Sequence, residues 1–256
     1  MSADSFSTSS KEASTISDEK ARSLGESEVQ KPKILEPIYD EGWRAWATLI
    51  GATCALTATF GYINAFGVYQ DFYTRAGVAS ASSISWVGST QLFFAFLMGL
   101  PAGKLLDMGY FRQTIFTGSL LFVFSLFMVS LAHHDQYYQI YLPQGLGMGI
   151  GAGLVYLPCL AIQSHHWRRR RALAMGITVS GAGMGGIIFP IMLNQLFESS
   201  LGFAWSVRVS GFLVLGLLIL GNVLMCTNPT LEVLEKPKLD IKGILADIPF
   251  AIANFA

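Results

Sequence analysis

The sequence predicts an all-α membrane protein with six transmembrane helices, and three observations lead to that prediction. Apolar residues make up 52% of the 256 residues and charged residues only 13%, whereas soluble domains have roughly 25% charged residues. Six charge-free runs are each long enough to cross a bilayer, which takes about 20 helical residues. Lysine and arginine gather in every second joint between these runs, as they do in membrane proteins of fixed orientation.

The first 40 residues are rich in serine, glutamate and lysine and contain almost no aromatic residues. Such a segment buries too little apolar surface to offset the entropy cost of ordering. We therefore expect residues 1–40 to be a disordered cytoplasmic tail. No apolar segment follows a basic start there, so the tail does not have the pattern of a signal peptide.

Residues 41–227 contain the six predicted spans. The charge-free runs are 45–69, 76–103, 113–132, 136–164, 172–197 and 209–231. A backbone in hydrocarbon has no water to bond, so each run is expected to be helical. Residues 228–247 are polar and are interpreted as a cytoplasmic linker. Residues 248–256 become apolar again and are interpreted as the truncated start of a seventh helix.

The distribution of lysine and arginine predicts the orientation of the helices. One side of the predicted membrane receives twelve of these residues: Lys31, Lys33, Arg44, Lys104, Arg112, Arg168, Arg169, Arg170, Arg171, Lys236, Lys238 and Lys242. The other side receives two, Arg75 and Arg208. Cytoplasmic loops carry the excess of cations, so both ends of the chain are expected in the cytoplasm.

Several function classes are disfavoured by the residue pattern. Cys54, Cys159 and Cys226 all lie in apolar runs without the spacing of a disulfide framework or a metal site. No span combines a nucleophile with a histidine, so we expect no enzyme and no catalytic residues. The dense cations border a predicted span, which indicates lipid rather than nucleic acid as their partner. No cofactor or metal is expected.

Three motifs occur in order along the chain. They are D-E-G-W-R-A-W at 40–46 with G-Y-I-N-A-F-G-V-Y-Q at 61–70, G-K-L-L-D-M-G-Y-F-R at 103–112, and W-R-R-R-R-A-L-A-M-G at 167–176. Together they resemble the monocarboxylate-transporter-like branch of the major facilitator superfamily, in its fungal form, over Asp40 to Cys226. The resemblance implies that the six helices, built from two three-helix repeats, form one half of a twelve-helix fold.

The resemblance also implies a function. Carriers of this kind move a small organic solute by alternating access, with the two halves rocking around a site near the bilayer midplane. The expected partners are therefore a small-molecule solute, the lipid bilayer, and a missing C-terminal six-helix half or a second copy. The chain alone is expected to be inactive. The expected location is the plasma membrane, with the vacuolar membrane as the alternative. A second interpretation stays open, a half-length protein that dimerises with or regulates a full carrier.

The joint between the second and third spans is similar to the superfamily's G-x-L-x-D loop. Asp107 is its carboxylate, and Arg112, Arg169 and Arg170 are candidate partners that would hold one conformation closed. Met108 stands where the family has a basic residue. Two plainer interpretations remain open. The loop is also explained as a solvated turn, and the arginines as an orientation signal that attracts anionic lipid, at about 1 kcal/mol each.

Glycines recur in the fourth and fifth spans, and Gly149, Gly153, Gly181 and Gly185 are the ones expected to pack helices. Small residues at such spacing let helix backbones approach closely. Neither series follows a strand, so neither is a nucleotide-binding loop. Tight packing and sliding during transport are both compatible with this pattern.

Four residues are candidates for the substrate path. Asn64 lies on a stripe of the first span with Thr53 and Thr57, while Gln91 and Gln144 are polar residues of the second and fourth spans. Each amide is equally well explained as a structural hydrogen bond between helices. Arg208, at the outer end of the sixth span, is a candidate for attracting an anion. No charged side chain is expected inside a span, so groups for proton coupling are expected in the missing half.

Overall fold

The computed structural model of the protein describes residues 42–132, 137–200 and 202–226. All regular secondary structure in these ranges is helical, and it forms six candidate membrane spans, as predicted. We number them α1 to α6: Trp43–Arg75, Ala81–Asp107, Phe111–Leu131, Tyr137–His166, Arg171–Glu198 and Gly202–Leu224. The predicted tail (1–40), linker (228–247) and start of a seventh helix (248–256) lie outside the described residues.

The helices extend beyond the charge-free runs. α6 begins at Gly202 rather than at Val209, so Arg208 lies inside it, and Asp71 and Arg75 lie inside α1. All three residues lie outside the charge-free runs that the sequence defined, so the helices are longer than those runs. A helix continues past the hydrocarbon edge because its backbone hydrogen bonds remain intact there. Charge therefore marks where the lipid ends, not where the helix ends.

α1 is interrupted near its middle. It consists of the segments Trp43–Ala58, Phe60–Ile63 and Phe66–Arg75. At the second interruption the N–H groups of Ala65 and Val68 bond three residues back, to the carbonyls of Tyr62 and Ala65 (both 3.0 Å). Tighter turns of this kind inside a helix often mark functional hinges. Asn64, a predicted substrate-path residue, lies at this interruption.

α4 contains a π-helical turn, Tyr141–Gly147, between the α-helical segments Tyr137–Ile140 and Met148–Ala161. Pro143 lies in the turn and has no backbone N–H, so the helical ladder lacks one hydrogen bond there. The N–H of Met148 donates to the carbonyl of Pro143, five residues back. π-turns of this kind are frequent at functional sites.

The centre of the bundle is aromatic. α1 packs against α5 and α6, α4 packs against α2 and α3, and α3 also contacts α6. The fully buried ring of Tyr62 on α1 lies 6.3 Å from Phe122 of α3 and 5.0 Å from Phe189 of α5, in edge-to-face arrangements. Such pairs add about 0.5–1.5 kcal/mol each beyond their burial.

The outer surface of the bundle is apolar. Large side chains that remain exposed include Phe93, Phe116, Ile187, Phe212 and Val223. A soluble monomer rarely exposes contiguous apolar surface on this scale. Lipid tails solvate these side chains, so the surface agrees with a bundle that lies in a bilayer.

The crossing of α1 and α5 depends on Gly181 and Gly185. A Cβ atom on Gly181 would lie 2.5 Å from the carbonyl oxygen of Thr53. A Cβ atom on Gly185 would lie 2.5 Å from the carbonyl oxygen of Thr57 and 2.7 Å from the Cα of Gly61. These neighbours are backbone atoms, which cannot rotate away. Glycine is therefore required at both positions for the helices to approach this closely.

The crossing of α2 and α4 has the same construction with Gly149 and Gly153. A Cβ atom on Gly149 would lie 2.7 Å from the carbonyl oxygen of Gln91, and one on Gly153 would lie 2.5 Å from that of Ala95. All four glycines that the sequence marked for helix packing thus lie at helix crossings. The crossing also fixes the backbone of Gln91, a predicted substrate-path residue.

Candidate substrate path

A cavity of about 380 Å³ lies between α1 and α2, at the interruption of α1. Its walls are two helix faces: Ile63, Asn64, Phe66 and Gln70 on α1, and Ser85, Gly88, Ser89, Gln91 and Leu92 on α2. Its volume is within the range of about 300–1,000 Å³ that small-molecule sites occupy. None of the lining side chains is charged. The cavity brings together two of the four predicted substrate-path residues, Asn64 and Gln91.

Gln91 is the most buried polar side chain of this cavity, with 1% of its surface exposed. Its Oε1 atom has no hydrogen-bond partner among the described residues. A buried acceptor without a partner costs about 1–3 kcal/mol, so such groups are rare in folded proteins. Gly88, one turn earlier, leaves room for the ring of Phe66, which would lie 2.5 Å from a Cβ atom there.

Asn64 lines the cavity and also contacts α5. Its Nδ2 donates a long hydrogen bond of 3.5 Å to the carbonyl oxygen of Ala182. The polar residues of the predicted stripe on α1 do not all face the cavity. Thr53 and Thr57 face the α5 glycines, and their hydroxyls donate within α1 to the carbonyls of Leu49 and Thr53 (both 2.8 Å). Of these three polar residues of the stripe, only Asn64 lines the cavity.

Gln144 has a different environment. It is 2% exposed, lies in the π-turn of α4, and its Oε1 accepts a hydrogen bond of 2.9 Å from the hydroxyl of Tyr73 on α1. It does not line the α1/α2 cavity. The geometry therefore matches the structural alternative for Gln144, a hydrogen bond that joins two helices.

A row of buried tyrosines on α1 was not singled out from the sequence. The Tyr62 hydroxyl contacts both the hydroxyl of Tyr69 and the Oγ atom of Ser210 on α6, the latter at 2.8 Å. Tyr73 continues the row toward α4. Positions 62, 69 and 73 are separated by seven and four residues, which places them on one helix face. That spacing was the available signal.

Arg208 is held at the edge of the bundle. Its Nε atom lies 3.4 Å from the Oγ of Ser130 on α3, and its guanidinium carbon lies 5.1 Å from the centre of the Trp205 ring. The arginine does not line the cavity. Its contacts are a long hydrogen bond and a cation–π contact, which at exposed sites contributes about 0.5–1 kcal/mol.

The predicted gate residues lie near the ends of helices. Asp107 ends α2, Arg112 is in the first turn of α3, and Arg169 and Arg170 directly precede α5; all four are exposed. Between described residues, the structure forms one salt bridge, from Arg75 to Asp71 (2.9 Å). Pairing of Asp107 with one of the arginines therefore stays a prediction about another conformation.

The loop that carries the arginines is anchored by its neighbours. Trp167 is 4% exposed, and its ring meets that of Trp46 edge to face at 5.3 Å. The Nε2 atom of His166 lies 2.7 Å from the carbonyl oxygen of Cys226, just after α6. The start of α5 is thereby connected to both α1 and the end of α6.

The part of the chain that the structure describes contains no group of three His, Cys, Asp or Glu side chains close enough to hold a metal ion. What it offers instead is an uncharged cavity beside an interrupted membrane helix. Such interrupted helices form the binding sites of many secondary transporters. The six apolar helices therefore define a multi-pass membrane protein.

The family model of the Major Facilitator Superfamily matches residues 48–254. The chain belongs to this superfamily, whose members are transporters rather than enzymes. The match covers most of the chain, and six apolar helices agree with half of the superfamily fold.

The similar proteins are fungal. The aspyridones efflux protein of Emericella nidulans is 46% identical over 200 residues, which are 77% of this chain and 40% of that protein. The agnestins efflux protein of Paecilomyces divaricatus is 40% identical over 203 residues, 78% of this chain and 46% of that protein. An MFS-type transporter of a Phoma species is 37% identical over 218 residues, 83% of this chain and 75% of that protein. The chain thus spans less than half the length of both efflux proteins.

Proposed function

We propose that the chain forms one half of a secondary transporter that exports a small organic metabolite by alternating access. The observation that carries the proposal is the uncharged cavity at the interruption of α1, between α1 and α2. Two relatives are efflux proteins of fungi, which supports export as the direction. The hinge in α1 supports a conformational change at the cavity, because one wall is able to bend there.

The cavity is open on one side, so the chain supplies only part of a substrate path. The proposal therefore includes a second six-helix half, either a C-terminal half or a second copy of this chain. The excess of cations on one side supports a cytoplasmic N-terminus, and the proposed location is the plasma membrane. In the inward-closed state, Asp107 would pair with Arg169 or Arg170 and hold the cytoplasmic side shut.

The lining of the cavity does not favour a monocarboxylate as the solute. A carboxylate in a low-dielectric cavity needs a cation or several donors to replace its water. The lining contains amides, hydroxyls and apolar side chains. Arg208, the candidate for attracting an anion, lies elsewhere, next to Ser130 and Trp205. These contacts favour an uncharged metabolite.

A second candidate function is a half-length membrane protein that pairs with, or regulates, a full carrier. The match covers 75% of the Phoma transporter, so a relative of comparable length exists, and this supports the half-length part of the second candidate. The two candidates differ in what the loss of the protein does to metabolites. A transporter changes the export of its own solute, whereas a regulator changes the rate of another carrier.

Deleting the gene and measuring small metabolites in cells and medium by mass spectrometry tests the proposed function. We expect at least one metabolite to rise in the cells and fall in the medium. A reintroduced Gly183→Ala copy is expected to restore export, because a Cβ atom there meets nothing within 4 Å, whereas Gly185→Leu is not. Unchanged distribution of every metabolite would reject the proposal. Saturable transport by liposomes that contain only this chain would favour the paired-copy version.

A further inference from the structure

The unpaired amide of Gln91 indicates which polar group a solute in the cavity would need. Among the described residues that line the cavity, Gln91 is the one whose buried polar atom lacks a partner. Gln144 shows the alternative, since its amide oxygen is paired with the hydroxyl of Tyr73. A buried amide left unpaired weakens folding. A ligand that pairs with it recovers part of that free energy on binding.

We propose that the α1/α2 cavity binds an uncharged aromatic or aliphatic solute through a hydroxyl or N–H group that hydrogen-bonds to the Gln91 amide. This inference rests on the proposed transport function and names its substrate class. A carboxamide has one acceptor and two donor hydrogens. A hydroxyl both donates and accepts, so it matches the amide in either of its two rotations. A carboxylate accepts only, and it brings a charge that no lining side chain balances.

The rest of the lining defines the body of the solute. Ile63, Phe66 and Leu92 supply apolar contact, and burial of apolar area favours an apolar frame there. Ser85 is already paired, because its Oγ lies 3.1 Å from the Nε2 of Gln70. Among the described residues the Asn64 amide bonds to Ala182 alone, at 3.5 Å, so Asn64 is a second polar contact for the solute.

The position of Gln91 makes it suitable for a specific contact. Its backbone carbonyl oxygen would lie 2.7 Å from a Cβ atom on Gly149, so α4 holds this turn of α2 closely. The side chain is consequently presented from a fixed backbone, and little conformational entropy is lost when a ligand binds. The opposite wall belongs to α1, which contains the tightened turn at Ala65 and Val68.

The test uses the full chain in lipid nanodiscs and three matched probes: 2-naphthol, 2-methoxynaphthalene and 2-naphthoate at pH 7. They share an aromatic frame and differ in carrying a hydroxyl, a methyl ether or a carboxylate. Saturable binding is measured by equilibrium dialysis against protein-free nanodiscs, which corrects for partition into lipid. We expect 2-naphthol to bind about tenfold tighter than the ether, the effect of one hydrogen bond of about 1.4 kcal/mol. The carboxylate is expected to bind weakest.

Two variants test whether the Gln91 amide makes the contact with the solute, and a third variant is the control. Gln91→Leu and the closer isostere Gln91→Met are expected to reduce naphthol affinity to that of the ether and to leave ether affinity unchanged. Gln163→Leu is the matched control, because Gln163 is also fully buried with an unpaired Oε1 but lies outside the cavity. It is expected to change neither affinity. Thermal unfolding of each variant verifies that it is folded.

Three results would overturn the inference. They are no saturable binding of any probe, tighter binding of the carboxylate than of the naphthol, or an unchanged naphthol-to-ether ratio in both Gln91 variants. The gene-deletion experiment fails or succeeds independently. If the gene deletion changes export but the Gln91 variants keep the naphthol-to-ether affinity ratio, only the substrate class is rejected. If the Gln91 variants lose that ratio but the deletion changes no metabolite, only the transport function is rejected.

Discussion

The two glycine crossings of the bundle have the same backbone geometry and different side-chain chemistry. In each, two glycines four residues apart contact two backbone carbonyls four residues apart on the neighbouring helix. At the α1/α5 crossing the adjacent threonine hydroxyls are satisfied within their own helix. At the α2/α4 crossing the adjacent side chain is Gln91, whose amide oxygen is unpaired. The same glycine packing thus forms a contact without unpaired side-chain groups at the α1/α5 crossing. At the α2/α4 crossing it positions Gln91, a candidate binding residue.

The largest effect is predicted for a substitution that disrupts the α1/α5 crossing. Gly185→Ala places a methyl group 2.5–2.7 Å from the backbone of Thr57 and Gly61, so the helices must separate. Overpacking of this kind costs about 1–3 kcal/mol, which we expect as a lower midpoint in SDS unfolding of the solubilised chain. Gly183→Ala, on the same helix, is the control and should be neutral. Equal midpoints for the two variants would contradict the close approach.

The second prediction concerns a substitution that disrupts the α2/α4 crossing. Gly153→Ala places a methyl group 2.5 Å from the carbonyl oxygen of Ala95 and 2.7 Å from the Cβ of Met98. We expect destabilisation of about 1–2 kcal/mol, because the third near atom, the carbonyl oxygen of Phe94 at 3.0 Å, is also backbone and a Cβ atom cannot rotate away. Gly145→Ala meets its nearest atom, the carbonyl oxygen of Val87, at 3.4 Å and should cost far less. SDS unfolding ranks the variants, and the reverse order of the two α4 variants would refute the prediction.

The third prediction compares the two glutamines. Gln144→Leu removes the partner of the Tyr73 hydroxyl, and a double-mutant cycle with Tyr73→Phe should give a coupling of about 0.6–1.5 kcal/mol. Gln91→Leu removes an amide with no partner and should leave stability unchanged or raise it. The measurement is again SDS unfolding, with Gln163→Leu alongside. If Gln91→Leu destabilises the chain as much as Gln144→Leu, Gln91 has a structural role and the contrast between the crossings is lost.

The smallest predicted effect lies outside both crossings. Asp71 and Arg75 form a salt bridge one helical turn apart, and both side chains are more than half exposed. Solvent screens such a pair, so Arg75→Gln is expected to cost at most about 0.5 kcal/mol. The shift should disappear in 1 M salt, where the screening length is about 3 Å. A loss as large as that of Gly153→Ala would show that this end of α1 has contacts beyond the ion pair.

Much of the fold was predictable because the bilayer restricts what the backbone can do. Charge-free length alone identified six helices, since hydrocarbon leaves a spanning chain few alternatives to a helix. The charge-free run placed the start of the sixth span at residue 209, whereas α6 begins at Gly202 and includes Arg208, because charge does not mark where a helix begins. The glycines were identified by their spacing, which is a property of one helix and does not depend on the partner.

The candidate site was only partly predictable. Asn64, Gln91 and Gln144 are the same kind of residue in the same kind of apolar run, so the sequence left each equally suited to structure or to substrate. Their hydrogen-bond environments differ only once the neighbouring helices are in place. Tyr73 pairs with Gln144, Ala182 contacts Asn64, and no described residue reaches the Oε1 of Gln91.

The sequence by itself determined the helical class, the number of spans, the cation asymmetry and the positions where glycine allows close approach. These depend on composition and on periodicity within one helix. Only the tertiary structure decided which amide is satisfied, where α1 is interrupted beside the cavity, and which polar groups meet. Those outcomes depend on distances between helices far apart in the chain, and no local pattern encodes such distances.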